Sequence, residues 1–457
     1  MDWIAIDLGS TSIKAALLDI KGKKVLNYCR FPITAKKIVT EYIYEIDADK
    51  YFQEVREILA LYVSKVKESE CGVRISTQMH GFILADEKGV PATPYISWQD
   101  CRCQRSDGKE SDFQQLEKKL EGQMGQESGS CFKPGQALCN LYSMEKRGEI
   151  SRSQKLRLHS LGSYMINRIC NSYCTHITNA CPMGMANVKK REWNEKIINI
   201  AGLDQLYFPR IVSAHEPIGE KKICGKRVVF YPDIGDQQTS VLGVMGEKEK
   251  EIYINIATAG QVSRITEKFQ IGEFESRPFF ESSYLNTFTG LPAGRNLQVL
   301  NGLIRDVGKV FYKKILSDEF IYNVVSEALK YNQEKCSLNE NLDYFQGKGE
   351  ITKIAGDNMT VAQLYMGAYE SMIKIYKDKI EKLNVDYYAV DAIAIGGVLE
   401  KNEILFQMLQ GVCQLHVQKK RIKDSVIVGH DRLALIDEGE YNSIFDQELL
   451  ERKLQWV

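Results

Sequence analysis

Residues Asp2 to Asp19 read DWIAIDLGSTSIKAALLD. An apolar run with the composition of a buried strand carries a carboxylate, Asp7, then a small-residue turn, then a second apolar run. Burying a charge is costly without compensation, and a cation or a ligand is the usual reason for keeping one. The Gly-Lys turn in IKGKK, Ile20 to Lys24, and the strand-like KVLNYCRFPI after it predict a β-meander rather than a strand-helix unit. Next comes DADKYFQEVREILALYVSKVKES, where Tyr51, Val55, Ile58, Leu59 and Tyr62 recur at helical spacing, and then the short strand GVRIST.

The same grammar returns later in the chain. EIYINIATAGQVSRI, Glu251 to Ile265, reads as strand, small-residue turn and strand. MTVAQLYMGAYESMIKIYKDKIEKL predicts a helix capped by Thr360, and DAIAIGGVLEKNEILFQMLQGV reads as strand, glycine turn and helix. The expectation is two α/β domains on one plan, residues 1–243 and 244–457, divided near Val241 to Lys250. A length of 457 residues, too great for one compact core, agrees with this.

Sixty basic residues balance sixty acidic ones, so charge gives no reason to expect nucleic acid or an anionic membrane as partner. No apolar run approaches the roughly 18 residues of a membrane span, and a first strand starting at Trp3 leaves no room for a leader, which predicts a cytoplasmic protein. The 12 cysteines, Cys101 and Cys103 among them, lack paired CxxC spacing and read as free thiols rather than a zinc site.

Four stretches carry candidate chemistry. In DLGSTS, Gly9 permits a tight bend. Ser10, Thr11 and Ser12 set hydroxyls and N–H groups at a hairpin tip that can embrace an anion, with Asp7 placed to hold a divalent cation through water; the alternative is a plain hairpin with an exposed Asp. In DIGDQQTSVLG, Asp236 ends a strand beside Gln237 and Gln238. It is either a base that accepts a hydroxyl proton or a turn-former. In STQMHG, Gln78, Met79 and His80 stand at a strand end, where His80 either bonds a sugar or is structural. YISWQDCRC adds Trp98, Asp100 and Arg102: an apolar face, an acceptor and a fork of donors that suit a polyol, or else a buried Trp beside an ion pair. Gly396 and Gly397, between strand and helix, let a flat ring lie against backbone within reach of Asn402.

In this order and at these distances, the motifs resemble the FGGY family of carbohydrate kinases over Asp2 to about Leu409. The resemblance implies a ribonuclease-H-like, actin- and hexokinase-type pair of domains with a deep cleft between them. It implies ATP and Mg2+ as cofactors, and DLGSTSIK as a first phosphate loop (Gly9, Ser10, Thr11, Ser12), with Asp7 near the metal and Thr11 and Lys14 near the transferred phosphate. Asp236 is implied as catalytic base. NIATAGQ is implied as a second phosphate loop, with Thr258 and Gly260, and GGVLEKN (Gly396, Gly397, Asn402) as the adenosine loop. TQMHG and WQDCR are similar to the sugar motifs of xylulokinases and sedoheptulokinases. ESRPFF with YLNTFTGLPAGRN looks most like the latter, where a glycine-rich turn, here Gly294, approaches the nucleotide. A ketose, with a seven-carbon one as the narrower expectation, would contact Gln78, Met79, His80, Trp98, Asp100, Arg102, Asp236 and Gln237. Oligomeric state is left open, a homodimer included.

The chain departs from the family pattern in three places. SVIVGHDRLALID stands where an Ala-Gly-rich helix is usual, SCFKPGQALCNLYSMEKR lacks a Lys-Leu-hydrophobic-Trp run, and GKGE, Gly347 to Glu350, replaces a Gly-Glu-Arg turn. The competing reading is a sugar- or nucleotide-binding regulator that has lost catalysis. The retained Asp7, Thr11, Asp236 and Thr258 argue against it, since a binding module needs no base.

Overall fold

The computed structural model describes all residues except 121–126, 130–131, 247–248, 281–282, 332–337, 343–348, 384–390 and 413–414. Gly347 and Lys348 of the GKGE turn, and Ser130 and Cys131 of SCFKPGQ, lie outside the described residues.

The opening stretch forms β1 (Asp2–Leu8) and β2 (Ser12–Asp19), followed by β3 (Lys24–Pro32) in an antiparallel meander. Trp3 to Leu8 are buried without alternation, because β1 is central in its sheet and covered on both faces. Helix α1 (Ala48–Lys65) is capped by Asp47, whose carboxylate accepts the Lys50 N–H at 2.9 Å, and it buries Tyr51, Val55, Ile58, Leu59 and Tyr62 against the sheet. It returns the chain to β4 (Glu70–Thr77), parallel to β1. After an insertion of short helices and short strands come β5 (Gly219–Ile223), β6 (Lys226–Phe230), the short β7 (Ile234–Gly235) beside β4, and α2 (Asp236–Leu242).

The second sheet contains β8 (Glu251–Ile256), β9 (Gly260–Thr266), β10 (Glu275–Phe279) and β11 (Ser283–Leu291), then β12 (Asp391–Ile395) and β13 (His416–Lys419). Its order is β10-β11-β9-β8-β12-β13. Here β8 sits between antiparallel β9 and parallel β12, as β1 sits between antiparallel β2 and parallel β4, so the repeated grammar of the sequence is a repeated topology. Helices α3 (Gly294–Tyr312) and α4 (Val361–Lys382) cover this sheet; Thr360 caps α4 by accepting the Gln363 N–H at 3.2 Å.

The C-terminal segment departs from the family pattern in sequence yet forms a 13-residue helix, α5 (Ser425–Asp437), capped by Asp424. It lies against α2 and crosses back to the first sheet. There Ile427, Leu435 and Leu449 pack with Trp3, Arg74 Nε donates to Asp437 at 2.7 Å, and Trp3 Nε1 donates to Glu438 at 2.9 Å. A last strand, β14 (Gln455–Trp456), then pairs in parallel with β3, so residues 244–457 do not all belong to the second sheet's half. Among the described residues, no helix is long and apolar enough to cross a membrane.

Candidate active site

A cleft of about 820 Å3 opens between the two sheets, and its lining draws on both halves, Asp7 and Asp236 from one and Asn255 and Gly290 from the other. Gly9, Ser10 and Thr11 form the tip of the β1–β2 hairpin, closed by the Gly9 N–H donating to the Ser12 carbonyl at 3.2 Å. Asp7 is the last turn-facing carboxylate of β1 and only 3% exposed. Its cross-strand neighbour Lys14 reaches Oδ2 at 2.9 Å and also reaches Asp424 Oδ2 at 3.2 Å, joining the hairpin to the cap of α5. Burial alone would lower the Lys14 pKa; the carboxylates of Asp7 and Asp424 outweigh it and hold the ammonium charged.

The other oxygen of Asp7 accepts from Ser76 Oγ at 2.9 Å. With that proton committed, Ser76 Oγ is the acceptor for His430 Nε2–H at 3.0 Å, which fixes the His430 tautomer. Burial and the nearby Arg74 push His430 down to about 3, so it stays neutral. Asp7 is thus oriented from β2, β4 and α5 at once.

Asp236 is the first residue of α2, part-buried on the cleft wall, and its Oδ1 accepts the Gln237 N–H at 2.8 Å. Removal from water, then the charge of Asp7, push it up to about 7, against the opposing pull of the Gln237 N–H, Lys14 and Arg277. The strand end before it is anchored by buried Asp233, which accepts from Thr175 Oγ1 at 2.9 Å and Asn179 Nδ2 at 2.6 Å. Gln237 reaches across the cleft: its Nε2 donates to Thr287 Oγ1 at 3.0 Å and Gln261 Oε1 at 3.1 Å, and its Oε1 accepts from Arg277.

The cleft is also lined by Gln78, Met79, His80 and Trp98 together with Lys133 and Arg277. His80 is held at φ 70° and donates from Nδ1 to the Pro182 carbonyl at 2.7 Å. Burial, then Lys133 and Arg277, push its pKa down to about 3, leaving a neutral ring with Nε2 as an acceptor. Gln78 donates from Nε2 to the Gly9 carbonyl at 3.3 Å, while its buried Oε1 has no partner among the described residues. A hydroxyl donor in the cleft would complete it. Trp98 is 38% exposed and presents its face, rather than being buried.

Asp100 and Arg102, expected to grip the same ligand, are placed behind the wall. They form a buried two-bond pair, Nε to Oδ1 and Nη2 to Oδ2, both 2.8 Å, and Asp100 also accepts the Tyr44 N–H at 2.8 Å. Their hydrogen bonds are spent bracing the loop that carries Trp98. Sequence reasoning missed Lys133, Arg277 and Asp424. Lys133 and Arg277 sat in quoted stretches, but nothing in their local pattern aims them at a cleft assembled from segments more than a hundred residues apart.

On the second half, Ala257 and Ala259 line the cleft, whereas Thr258 is exposed at the tip and its carbonyl accepts the Arg295 N–H at 3.0 Å. Gly294 starts α3 and donates to the Ala257 carbonyl at 2.9 Å, where a Cβ would lie 2.7 Å from that oxygen. Gly260 is a packing position: a Cβ there would lie 1.8 Å from the Tyr376 hydroxyl. Gly396 adopts φ 116°, which favours glycine, while Gly397 has open space around its α-carbon. Asn402, expected to reach a nucleotide, is 1% exposed. Its Nδ2 donates to Tyr369 Oη at 2.6 Å and its Oδ1 accepts the Leu405 N–H at 3.0 Å, so it is used within the fold.

Mg2+ binds through one or two carboxylates, waters and substrate phosphates rather than an all-protein cage. Asp7 and Asp424, joined by one lysine beside a tip of N–H and hydroxyl groups, have the donor chemistry for that. Asp7→Asn is expected to raise the Mg2+ concentration giving half-maximal rate by about tenfold or more; a Mg2+ titration at saturating nucleotide checks this, and an unchanged midpoint would remove Asp7 from the metal site.

The family model for the N-terminal domain of the FGGY family of carbohydrate kinases matches residues 2–243. A gluconokinase of Bacillus subtilis (strain 168) is 27% identical over 284 residues, 59% of this chain and 53% of that protein, so the chain spans about half the length of this relative. A glycerol kinase of Saccharolobus islandicus is 22% identical over 96% of this chain and 89% of its own. The ligand-bound xylulose kinase from Lactobacillus acidophilus superposes with a TM-score of 0.82 over 98% of this chain and 92% of that one, at 18% identity, which establishes the two-domain actin- and hexokinase-type ATPase fold. With an N-terminal half that fits this model and a full-length fold to match, the chain belongs to the FGGY family of carbohydrate kinases, phosphotransferases that act on an alcohol group and use ATP with Mg2+.

Proposed function

We propose that this chain transfers the terminal phosphoryl group of ATP to a hydroxyl of a sugar, with Asp236 as the base. The observation that carries the reading is the meeting in one cleft of Asp7 and Asp236, two carboxylates 229 positions apart in sequence, on the same side as the hairpin tip. When bound, the metal nucleotide supplies the phosphoryl group and neutralises charge on its oxygens; what the chain contributes is positioning and a proton acceptor. One oxygen of Asp236 is held by the Gln237 N–H, leaving the other for the acceptor hydroxyl, whose proton it takes as oxygen attacks phosphorus. His80 and Gln78 offer acceptors to the sugar's remaining hydroxyls, and Trp98 an apolar face. Closure of the two halves would keep water from taking the phosphoryl group.

The TQMHG motif, with Trp98 the one residue of WQDCR that lines the cleft, favours a ketose as acceptor, xylulose or sedoheptulose first. A coupled assay for ADP release over a panel of xylulose, ribulose, sedoheptulose, gluconate and glycerol tests the reading; silence on every acceptor while binding is still detected would overturn it in favour of a regulator. Need for ATP supports the cytoplasm as the site of action.

The pKa of Asp236 sets a pH dependence. Acting as a base, it must be ionised, so kcat/KM is expected to fall as pH drops through about 7. Stability runs the other way: a carboxyl raised in the folded state favours unfolding as pH climbs from about 4 to about 7, where only the unfolded chain releases its proton readily. Ligand-free Asp236→Asn should therefore melt above the wild type at pH 8 and close to it near pH 4, by calorimetry. Equal melting at both pH values would show that Asp236 is not held in the environment described.

A further inference from the structure

We propose that strand β14 is a positioning element for the nucleotide: Trp456, together with Tyr28, aims Arg30 and Lys423 at the phosphate chain. The identity of the ligand rests on the kinase reading above; the assignment of these four residues goes beyond it.

Arg30 and Lys423 line the same cleft as Asp7, Lys14 and Asp424. Arg30 lies on β3 directly across from Lys14, and Lys423 immediately precedes the Asp424 cap of α5. Net charge does not decide what they do, since Asp7, Asp236 and Asp424 line the cleft as well. What decides is which donors are already spent. Lys14 is held between the carboxylates of Asp7 and Asp424. Arg30 spends Nε, which donates to Tyr28 Oη at 2.8 Å, while its Nη2 stays 4.0 Å from Asp424 Oδ2, beyond hydrogen-bond length. The donors on its two terminal nitrogens are left for a ligand, on a side chain that is 61% exposed. Lys423 is held by rings rather than by a carboxylate among the described residues: Nζ lies 5.6 Å from the Tyr28 centroid and 5.0 Å from that of Trp456. Such an attraction places an ammonium without using a hydrogen-bond acceptor.

Both cations lean on Tyr28, and Tyr28 leans on β14. Its one hydroxyl proton goes to Asp424 Oδ2 at 2.9 Å, so the oxygen is the acceptor for Arg30. Trp456 meets its ring edge-on, with centroids 5.3 Å apart and planes at 88°. Trp456 is fixed in turn by the pairing of β14 with β3, which Val457 extends by donating its N–H to the Val25 carbonyl at 2.9 Å. A phosphate chain is the ligand chemistry that matches. It offers several anionic oxygens to an arginine fork and an ammonium at once, and donors already oriented lose little freedom on binding. The plainer use of the cluster is a solvated surface patch in which Trp456 only seals the sheet edge. A seal would be indifferent to how many phosphates the nucleotide carries, and that difference is testable.

The experiment is calorimetric titration of the full chain with adenosine, AMP, ADP and ATP in the presence of Mg2+, which reads binding without turnover. Arg30→Met and Lys423→Met are each expected to raise the Kd for ATP by about three- to tenfold and to leave adenosine unchanged. Trp456→Ala should weaken ATP by about threefold, Trp456→Phe should restore it, and added salt should narrow every difference. An unchanged Kd for ATP in both cation variants would overturn the phosphate assignment, as would a wild type that binds adenosine as tightly as ATP. A Trp456→Ala variant that binds ATP normally, or loses adenosine and ATP alike, would overturn the positioning role of β14. Tight, phosphate-dependent ATP binding without ADP release on any acceptor would leave the assignment standing and overturn the kinase reading alone.

Discussion

Replacing Asp236 by Asn is expected to lower turnover by about two to four orders of magnitude while the acceptor still binds. The size follows from what is removed. Asn keeps the shape, and its amide oxygen can still accept the Gln237 N–H that fixes the native carboxylate at 2.8 Å, so the start of α2 and the Gln237 bridge to Thr287 and Arg277 stay in place. What is lost is the ability to take a proton at the moment the hydroxyl oxygen becomes a nucleophile. The loose transition state of phosphoryl transfer asks more for positioning than for a strong base, which caps the loss well short of total inactivation. Steady-state ADP release together with calorimetric titration of the acceptor separates the two effects. Turnover within a few-fold of the wild type would take Asp236 out of the chemistry, and loss of acceptor binding along with turnover would make it a structural residue instead.

The second large effect is expected at a contact made by backbone alone. Helices α2 and α5 touch backbone to backbone: a Cβ on Gly243 would lie 1.9 Å from the Ser425 carbonyl oxygen, and one on Gly429 would lie 2.1 Å from the Thr239 carbonyl oxygen. Neither neighbour is a side chain that can swing away, so the helices must separate. Gly429→Ala is expected to destabilise the protein by about 1–3 kcal/mol, the range for overpacking. Because α2 begins with Asp236 and α5 is capped by Asp424, separation shifts both carboxylates, and a displacement of about 1 Å at a reacting group can cost about a hundredfold in rate. Denaturant unfolding and kcat should therefore move together. Gly411→Ala, at a helical glycine with nothing within 4 Å, is the control and should be neutral or slightly stabilising. Unchanged turnover and unfolding in Gly429→Ala would mean that the two helices are not pinned as described.

Much of this was legible in the chain. The opening meander and its repeat at Glu251 to Ile265 could be read because hairpin turns and apolar runs are local signals, and the strands β1, β2, β8 and β9 fall where the pattern puts them. Asp7 was conspicuous for being a carboxylate inside such a run. Direction was not legible. Asp100 and Arg102 looked like a ligand grip, but Glu45 and Tyr44, more than fifty residues away, meet them from a neighbouring strand and turn the pair inward. Asn402 looked free until Tyr369, on another helix, claimed its amide. The C-terminal helix was hard to place because its match to α2 depends on Gly429 meeting Thr239, a contact between segments about 190 positions apart. Lys133 and Arg277 became visible as a pair only once Glu275 was seen between them.

The return of the chain to its first sheet bears on how this protein could be divided. With β14 hydrogen-bonded alongside β3 and the end of α5 tied to Trp3 and Arg74, the midpoint of the polypeptide is not a seam between self-sufficient modules. A gene split there would yield one fragment with a bare sheet edge and a second fragment carrying the missing rung. The two should behave as complementary parts of a single object, each recognising the other through the surface it lacks.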